Sequence, residues 1–198
     1  MLLGKENIMY SARFYKKLQR VKSWQEAIGE LITKHYGFKT VIDMGSGNCY
    51  YLNGCYNAGA SVCGLEYSYE TCKEFIPVQI LKYIHQADLS KPINRGKFDC
   101  AMSYECGEHI APEYSDIFVD NLCNASKTVI FSAAIEGQGG ENHLCERPQS
   151  YWIDKFASRG YVYNTDDTKI VKDIFASQEP RTKYLNVMIR NVYVIRRK

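Results

Sequence analysis

The stretch that decides the fold is Thr40-Val41-Ile42-Asp43-Met44-Gly45-Ser46-Gly47. Thr40 to Met44 is a short apolar run, and Gly-Ser-Gly follows it at once. This predicts a buried strand entering a tight turn, where two glycines let the backbone reverse and let a ligand approach it. Upstream, Trp24, Ala27, Ile28, Leu31, Ile32 and His35 recur at intervals of three and four. That spacing predicts a helix over 10–36, with Ser23 as N-cap, Glu26 closing a capping box and Gly37 as the stop. A helix near 48–58 is expected after the turn.

Further strands are expected at 61–66, 82–86, 98–103, 127–134, 161–163 and 191–196. Helices are expected near 69–80, 113–124, 148–158 and 166–176. A glycine-rich loop, Glu136-Gly137-Gln138-Gly139-Gly140-Glu141-Asn142-His143, lies between the strand at 127–134 and the helix at 148–158. Alternation of strand and helix predicts an α/β fold, a doubly wound parallel sheet covered on both faces. The chain divides into a helical cap at 1–39 and a single compact unit at 40–198. Ligands of such sheets bind beyond the carboxyl ends of the strands, so the residues just after each strand carry the functional reading.

Composition narrows the class. With 198 residues, 45% apolar and 24% charged, the chain has ordinary globular content, which excludes disordered and collagenous classes. No apolar run approaches the ~20 residues that span a bilayer, and the start Met1-Leu2-Leu3-Gly4-Lys5-Glu6 has no apolar leader core. The expectation is a cytoplasmic protein with no membrane partner. Its eight cysteines, with no Cys-x-x-Cys, are then expected to be reduced thiols. Charge is segregated: residues 1–39 hold eight Lys/Arg and three Glu, and residues 180–198 hold six Lys/Arg and no acid. Solvated helix faces account for such ends; a site for a polyanion is the alternative.

Three acids stand at three strand ends. Asp43 closes the first, Glu66 the second, 19 residues past Gly47, and Asp88 follows the third in Gln86-Ala87-Asp88-Leu89. A carboxylate after the second strand suits a ribose diol, and one after the third suits an exocyclic adenine amine. The dinucleotide fingerprint Gly-x-Gly-x-x-Gly fails at its third glycine, which is Tyr50 here. Asp-x-Gly-x-Gly, the acid ending the second strand and the Ala-Asp-Leu after the third together resemble the class I S-adenosylmethionine-dependent methyltransferases over about 38–135. The resemblance implies a Rossmann-like, seven-stranded, mostly parallel sheet with an antiparallel last strand. It implies that Asp43 faces the amino-acid end of S-adenosyl-L-methionine, that Gly45, Ser46 and Gly47 pass under it, that Glu66 with Tyr67 holds the ribose, and that Asp88 and Leu89 hold the adenine. Ser103 and Tyr104, at the end of the fourth strand, complete the implied cofactor set.

The fourth strand runs into Ser103-Tyr104-Glu105-Cys106-Gly107-Glu108-His109. An Asn/Asp-Pro-Pro-aromatic stretch is absent here, which disfavours methylation of base amines; no Pro-Cys pair stands here either, which weighs against cytosine C5 chemistry. If helical, Glu105 lies one turn before Glu108 and His109, on one face. The run resembles the Glu-x-x-Glu-His of ubiquinone-pathway O-methyltransferases and of small-RNA 2′-O-methyltransferases. That resemblance implies a divalent metal, magnesium or similar, on Glu105, Glu108 and His109, with His143 as a fourth ligand. A metal-free site with His109 or His143 as general base, aided by Glu108, and a purely structural run remain open beside it. The expected activity is O-methylation of a small molecule, a sugar or a glycan. The alternatives are metal-dependent 2′-O-methylation of RNA and a non-catalytic scaffold that binds the same cofactor.

Overall fold

A computed structural model describes residues 10–198. The expectations on the first nine residues, the missing leader and the start of the cap, lie outside the described residues. The chain enters with α1 (Ala12–Leu18) and α2 (Lys22–Tyr36), joined by a 3-10 turn at Gln19–Val21. The expected single helix is therefore broken. Ser23 is no N-cap, because the Lys22 N–H already reaches the Gln19 carbonyl and the turn feeds straight into α2. Glu26 accepts instead from Asn53 Nδ2 at 2.7 Å, on α3 (Tyr50–Asn57). α2 and α3 touch backbone to backbone. A Cβ on Gly29 would meet the Tyr51 carbonyl oxygen at 1.9 Å, and one on Gly54 would meet the Glu26 carbonyl oxygen at 1.9 Å, so only glycine fits at this crossing.

The seven strands are β1 (Thr40–Met44), β2 (Ser61–Glu66), β3 (Ile84–Gln86), β4 (Cys100–Tyr104), β5 (Thr128–Ser132), β6 (Tyr161–Tyr163) and β7 (Tyr193–Arg197). Their order is β3-β2-β1-β4-β5-β7-β6. β1 to β5 run parallel, and β7 pairs antiparallel with both β5 and β6. The seven-stranded sheet with its antiparallel last strand matches expectation. Val41, Ile42 and Met44 are buried on both faces of the sheet, which is why the strand reads as a continuous apolar run.

The remaining helices are α4 (Tyr69–Cys72), α5 (Ser115–Ala125), α6 (Gln149–Ala157), α7 (Thr165–Ala176) and α8 (Lys183–Asn191). The helix expected over 69–80 shrinks to α4 and a 3-10 turn at Lys73–Phe75, since Pro77 lacks the N–H that continuation needs. α8 is unexpected; Thr182 Oγ1 caps it at 3.0 Å from the Leu185 amide, and Leu185 and Met188 bury its inner face. One sheet face packs Trp24, Ile28, Phe175 and Leu185. The other packs Phe118, Phe131, Trp152 and Phe156, with the Phe131 ring 5.4 to 6.1 Å from those of Phe118, Trp152, Phe156 and Tyr193. Trp152 is thus core, and Tyr151 hydrogen-bonds Ser115 Oγ at 2.8 Å. All eight cysteines are free, and among the described residues no helix is long and apolar enough to cross a membrane.

After β1 the chain winds outward to β2 and β3; after β4 it winds the other way. The strand order therefore reverses between β1 and β4, and the carboxyl ends of these two strands are where sheets of this kind hold ligands in a crevice.

Candidate active site

Asp43 ends β1 opposite Gly64 and Met102 and is only 2% exposed. The turn after it laps over β2: the Gly45 and Ser46 amides donate to the Leu65 carbonyl at 2.8 and 3.1 Å. Gly45 has φ +84°, and a Cβ there would sit 2.3 Å from Cys106 Sγ. Glu66 is buried at the end of β2. Its carboxylate accepts from the Gly47 amide (2.8 Å), the Ser68 amide (2.9 Å) and the Tyr15 hydroxyl (3.3 Å). Neither Asp43 nor Glu66 has an ion pair among the described residues. Burial, and then Glu66 nearby, push the Asp43 carboxyl up from 3.8 to about 8. Burial also raises Glu66, against the pull of its hydrogen bonds. Two buried carboxylates with no protein cation make this edge a receptor for positive charge.

Asp88 is half-exposed and locally engaged. It accepts from the Ser90 amide and hydroxyl and pairs with Lys91 at 3.2 Å, which holds its carboxyl below the usual range. Leu89 is buried beside the Gly45 turn. Two residues of the expected cofactor set turn elsewhere. Ser103 gives its hydroxyl to the Met44 carbonyl at 2.7 Å, stitching β4 to β1. The Tyr104 ring packs into the core, 4.5 Å from Tyr51 and 5.8 Å from Phe175, because its position in the strand faces the α3 and α7 side. Tyr67 follows Glu66 at the sheet edge, where its carbonyl accepts from Gln86 Nε2.

The run after β4 is not the helix that the spacing suggested. Glu105 has φ +47°, and only Gly107–His109 coils, as a 3-10 turn. Glu105 therefore leaves the face that Glu108 and His109 share. Its carboxylate is held by Gln138 Nε2 at 2.8 Å and by buried Asn191 Nδ2 at 3.2 and 3.3 Å, and Arg190 steadies Gln138. The other three candidates do converge: one ligand atom from each of Glu108, His109 and His143 lies within 4.8 Å of the others.

Glu108 is 1% exposed, and its Oε2 has no hydrogen-bond partner. Burial and the nearby Glu105 hold its carboxyl well above the usual range. Its backbone carbonyl accepts from the Leu144 and Cys145 amides, which fastens the glycine-rich loop over it. Burial pushes His109 down to about 4, so its ring is neutral at pH 7. Asn142 C=O lies 3.0 Å from His109 Nδ1, and the Tyr10 hydroxyl lies 2.9 Å from Nε2. The His143 ring stands 5.0 Å from that of His109, and its Nδ1 meets Glu146 at 2.6 Å.

Glu146 escaped the sequence reading. Its carboxylate also accepts from the Gly137 and Gly139 amides at 3.0 and 2.7 Å, so one side chain both folds the loop and orients His143. A Glu three residues after a His was the available signal. Asn48 was missed too; it donates to the Tyr15 carbonyl at 2.9 Å and ties α1 to the Gly45–Gly47 turn, leaving its buried Oδ1 without a partner.

Residues 42–125 match the family described as methyltransferase domain. This segment is a methyltransferase domain. No curated protein matches the chain. Solved structures share its fold. Magnesium protoporphyrin IX methyltransferase from Synechocystis PCC 6803, with bound S-adenosylhomocysteine, is 14% identical at a TM-score of 0.59, covering 93% of this chain and 84% of that one. A sugar N-methyltransferase from a Streptoalloteichus species is 12% identical at 0.64, covering 100% and 99%. An O-methyltransferase family protein from Burkholderia thailandensis is 11% identical at 0.62, covering 93% and 58%. The methyltransferase crevice fits its cofactor's charge: S-adenosylmethionine carries an ammonium and a sulfonium, and the buried Asp43 and Glu66 lack a cation.

Proposed function

We propose that this methyltransferase transfers the methyl group to a hydroxyl oxygen of a small molecule, a sugar or a glycan. The observation that carries this reading is the neutral His109 imidazole, held beside His143 and buried Glu108 past the end of β4. A neutral imidazole takes a hydroxyl proton as the oxygen attacks. S-adenosylmethionine, when bound, supplies an electrophilic methyl for in-line displacement. This chain's residues do the rest. Asp43 attracts the cofactor's amino-acid end, and Gly45 to Gly47 leave room for it. Glu66 offers its carboxylate to the ribose, and Leu89 packs against the adenine beside Asp88. His109 receives the proton, and the buried Glu108 carboxyl stands beside it. The loop at 136–147, clamped by Glu146, keeps water out, and positioning supplies much of the rate.

A second reading is metal-assisted 2′-O-methylation of RNA. The unpartnered Glu108 Oε2 beside the His109 and His143 imidazoles favours it, since that donor set suits a divalent ion. Glu108, His109 and His143 would hold the ion, and Glu146 would fix the His143 tautomer from behind. A bound divalent ion lowers the pKa of an acceptor hydroxyl. One experiment separates the readings: methyl transfer from labelled cofactor into pooled sugars, glycans, small phenols and RNA, with and without chelator. Transfer to hydroxyl acceptors that survives chelation and is lost in His109→Ala supports the first reading. Activity abolished by chelator and restored by manganese or magnesium supports the second. Transfer confined to amines refutes both.

A further inference from the structure

The acids of the methyltransferase crevice gather at the carboxyl ends of the strands. At the opposite ends, before β1, β4 and β5, a cavity of about 610 Å³ opens. Lys39, Lys97, Lys127 and Arg197 line it, so the basic N-terminal and C-terminal regions of the sequence meet here with two lysines from the middle of the chain. None of the four forms an ion pair among the described residues. Among the described residues that line the cleft the one carboxylate is Asp99, and its Oδ2 already accepts from the Lys39 and Thr40 amides at 2.7 and 2.9 Å. Lys97 reaches the Asn124 carbonyl at the end of α5.

The charges do not cancel. The C-terminal ends of α2 and α5 abut the cleft and carry about half a negative charge each. With Asp99 they offset half of the four cations, and about two positive charges remain. That matches a phosphomonoester, which carries roughly −1.5 to −2 at pH 7. The walls also supply rings. Tyr36 and Phe38 stack at 5.2 Å and 19°, with the Arg196 guanidinium 5.5 Å from the Tyr36 ring, and Phe98 lines the cleft with them, all three rings partly exposed.

We propose that this cleft binds the phosphomonoester end of a nucleotide, with the phosphate on Lys39, Lys127 and Arg197 and the base against the aromatic wall. The site lies ~15 Å from the methyl-transfer crevice, the length of a five-residue strand. It is thus separate from the adenosyl pocket. The nucleotide comes either free in solution or as the 5′-phosphorylated end of an RNA strand.

The test is calorimetric titration of the full chain with UMP, with uridine, and with a short RNA bearing or lacking a 5′-phosphate. S-adenosylhomocysteine is kept at saturation so that the crevice is filled. Lys39→Gln/Lys127→Gln and, separately, Arg197→Gln are the variants. Binding of UMP but not uridine, weakened at least about tenfold in both variants with cofactor binding unchanged, supports a free nucleotide. Binding confined to the 5′-phosphorylated RNA, weakened in the same way, supports a strand end. Three results overturn the proposal: no binding at millimolar concentration, equal binding of uridine and UMP, or variants that bind unchanged. A fall in melting temperature with unchanged binding belongs to the last outcome, since the cations then serve only the helix ends.

Discussion

Asp43→Asn should make the ligand-free protein more stable and the cofactor complex weaker. The carboxyl titrates near 8 in the folded chain and near 3.8 when exposed. A raised folded-state pKa gives stability that is fully present below the exposed value and lost as pH climbs to the folded one. Wild type therefore loses stability between about pH 4 and pH 8, and the neutral amide does not. Each tenfold change in proton affinity is ~1.4 kcal/mol, so the full ionisation cost is at most ~6 kcal/mol. Water entry and relaxation of a real protein site reduce this, and ~2–3 kcal/mol at pH 8.5 is the working figure. For a chain of this size it corresponds to a rise in melting temperature of roughly 5–10 °C.

Binding moves the other way. The ionised carboxylate is the form that attracts the cofactor's ammonium, so below about pH 8 affinity should rise with pH, towards tenfold per unit, and level off above. Uptake of ligand at pH 6.5 should release close to one proton, which calorimetry in buffers of different ionisation enthalpy measures directly. The amide should weaken S-adenosylmethionine and S-adenosylhomocysteine alike, by ~30-fold, the size of a lost charge-assisted hydrogen bond. An amide variant that melts below wild type at pH 8.5, or that binds both ligands as tightly, would refute the reasoning. Loss of S-adenosylmethionine affinity alone would move Asp43 from the ammonium to the sulfonium.

Gly45→Ala places a Cβ 2.3 Å from Cys106 Sγ at a φ of +84°, and urea unfolding should show a loss of ~2–4 kcal/mol with cofactor affinity down more than tenfold; an unchanged midpoint contradicts the crowding. Glu146→Gln should speed hydrogen exchange of the Gly137 and Gly139 amides at least about tenfold and lower turnover while cofactor affinity holds; unchanged exchange would remove the clamp. Phe131→Ala, at the meeting point of four aromatic rings, should cost ~3–5 kcal/mol by the same unfolding assay, and a cost under 1 kcal/mol would mean that the cluster repacks freely.

β1, β4 and β5 were legible because burial on both faces leaves them as largely apolar runs, and the Gly-Ser-Gly turn because its two glycines take the positive φ that the reversal needs. α8 was not, since its buried apolar pair Leu185 and Met188, three residues apart, is a single contact of helical period. The Glu105-x-x-Glu108-His109 spacing misled for a definite reason. It supposes a helix, and the left-handed turn at Glu105 is imposed by partners 33 and 86 residues away, Gln138 and Asn191. His143 entered as a fourth ligand beside a Glu-x-x-Glu-His resemblance, and the fold brings its ring 5.0 Å from that of His109. The Glu146 clamp, though local in sequence, needs the loop's curl before its carboxylate reaches three donors.

The sign of the charge at the crevice decides what class of nucleoside it takes. In this winding the helices start at the carboxyl edge of the sheet, so their positive ends face the crevice and favour a phosphate. Asp43 and Glu66 reverse that preference. Asp43 stands just before the turn that would otherwise cradle a pyrophosphate, and Glu66, at the end of β2, takes the Gly47 amide that such a group needs. A dinucleotide would meet two carboxylates and lose a donor. A ligand with positive charge beside an adenosine meets neither penalty and relieves the repulsion between the two acids. The same relief lets both acids ionise at under 10% exposure: the ligand supplies the counter-charge that the described residues do not.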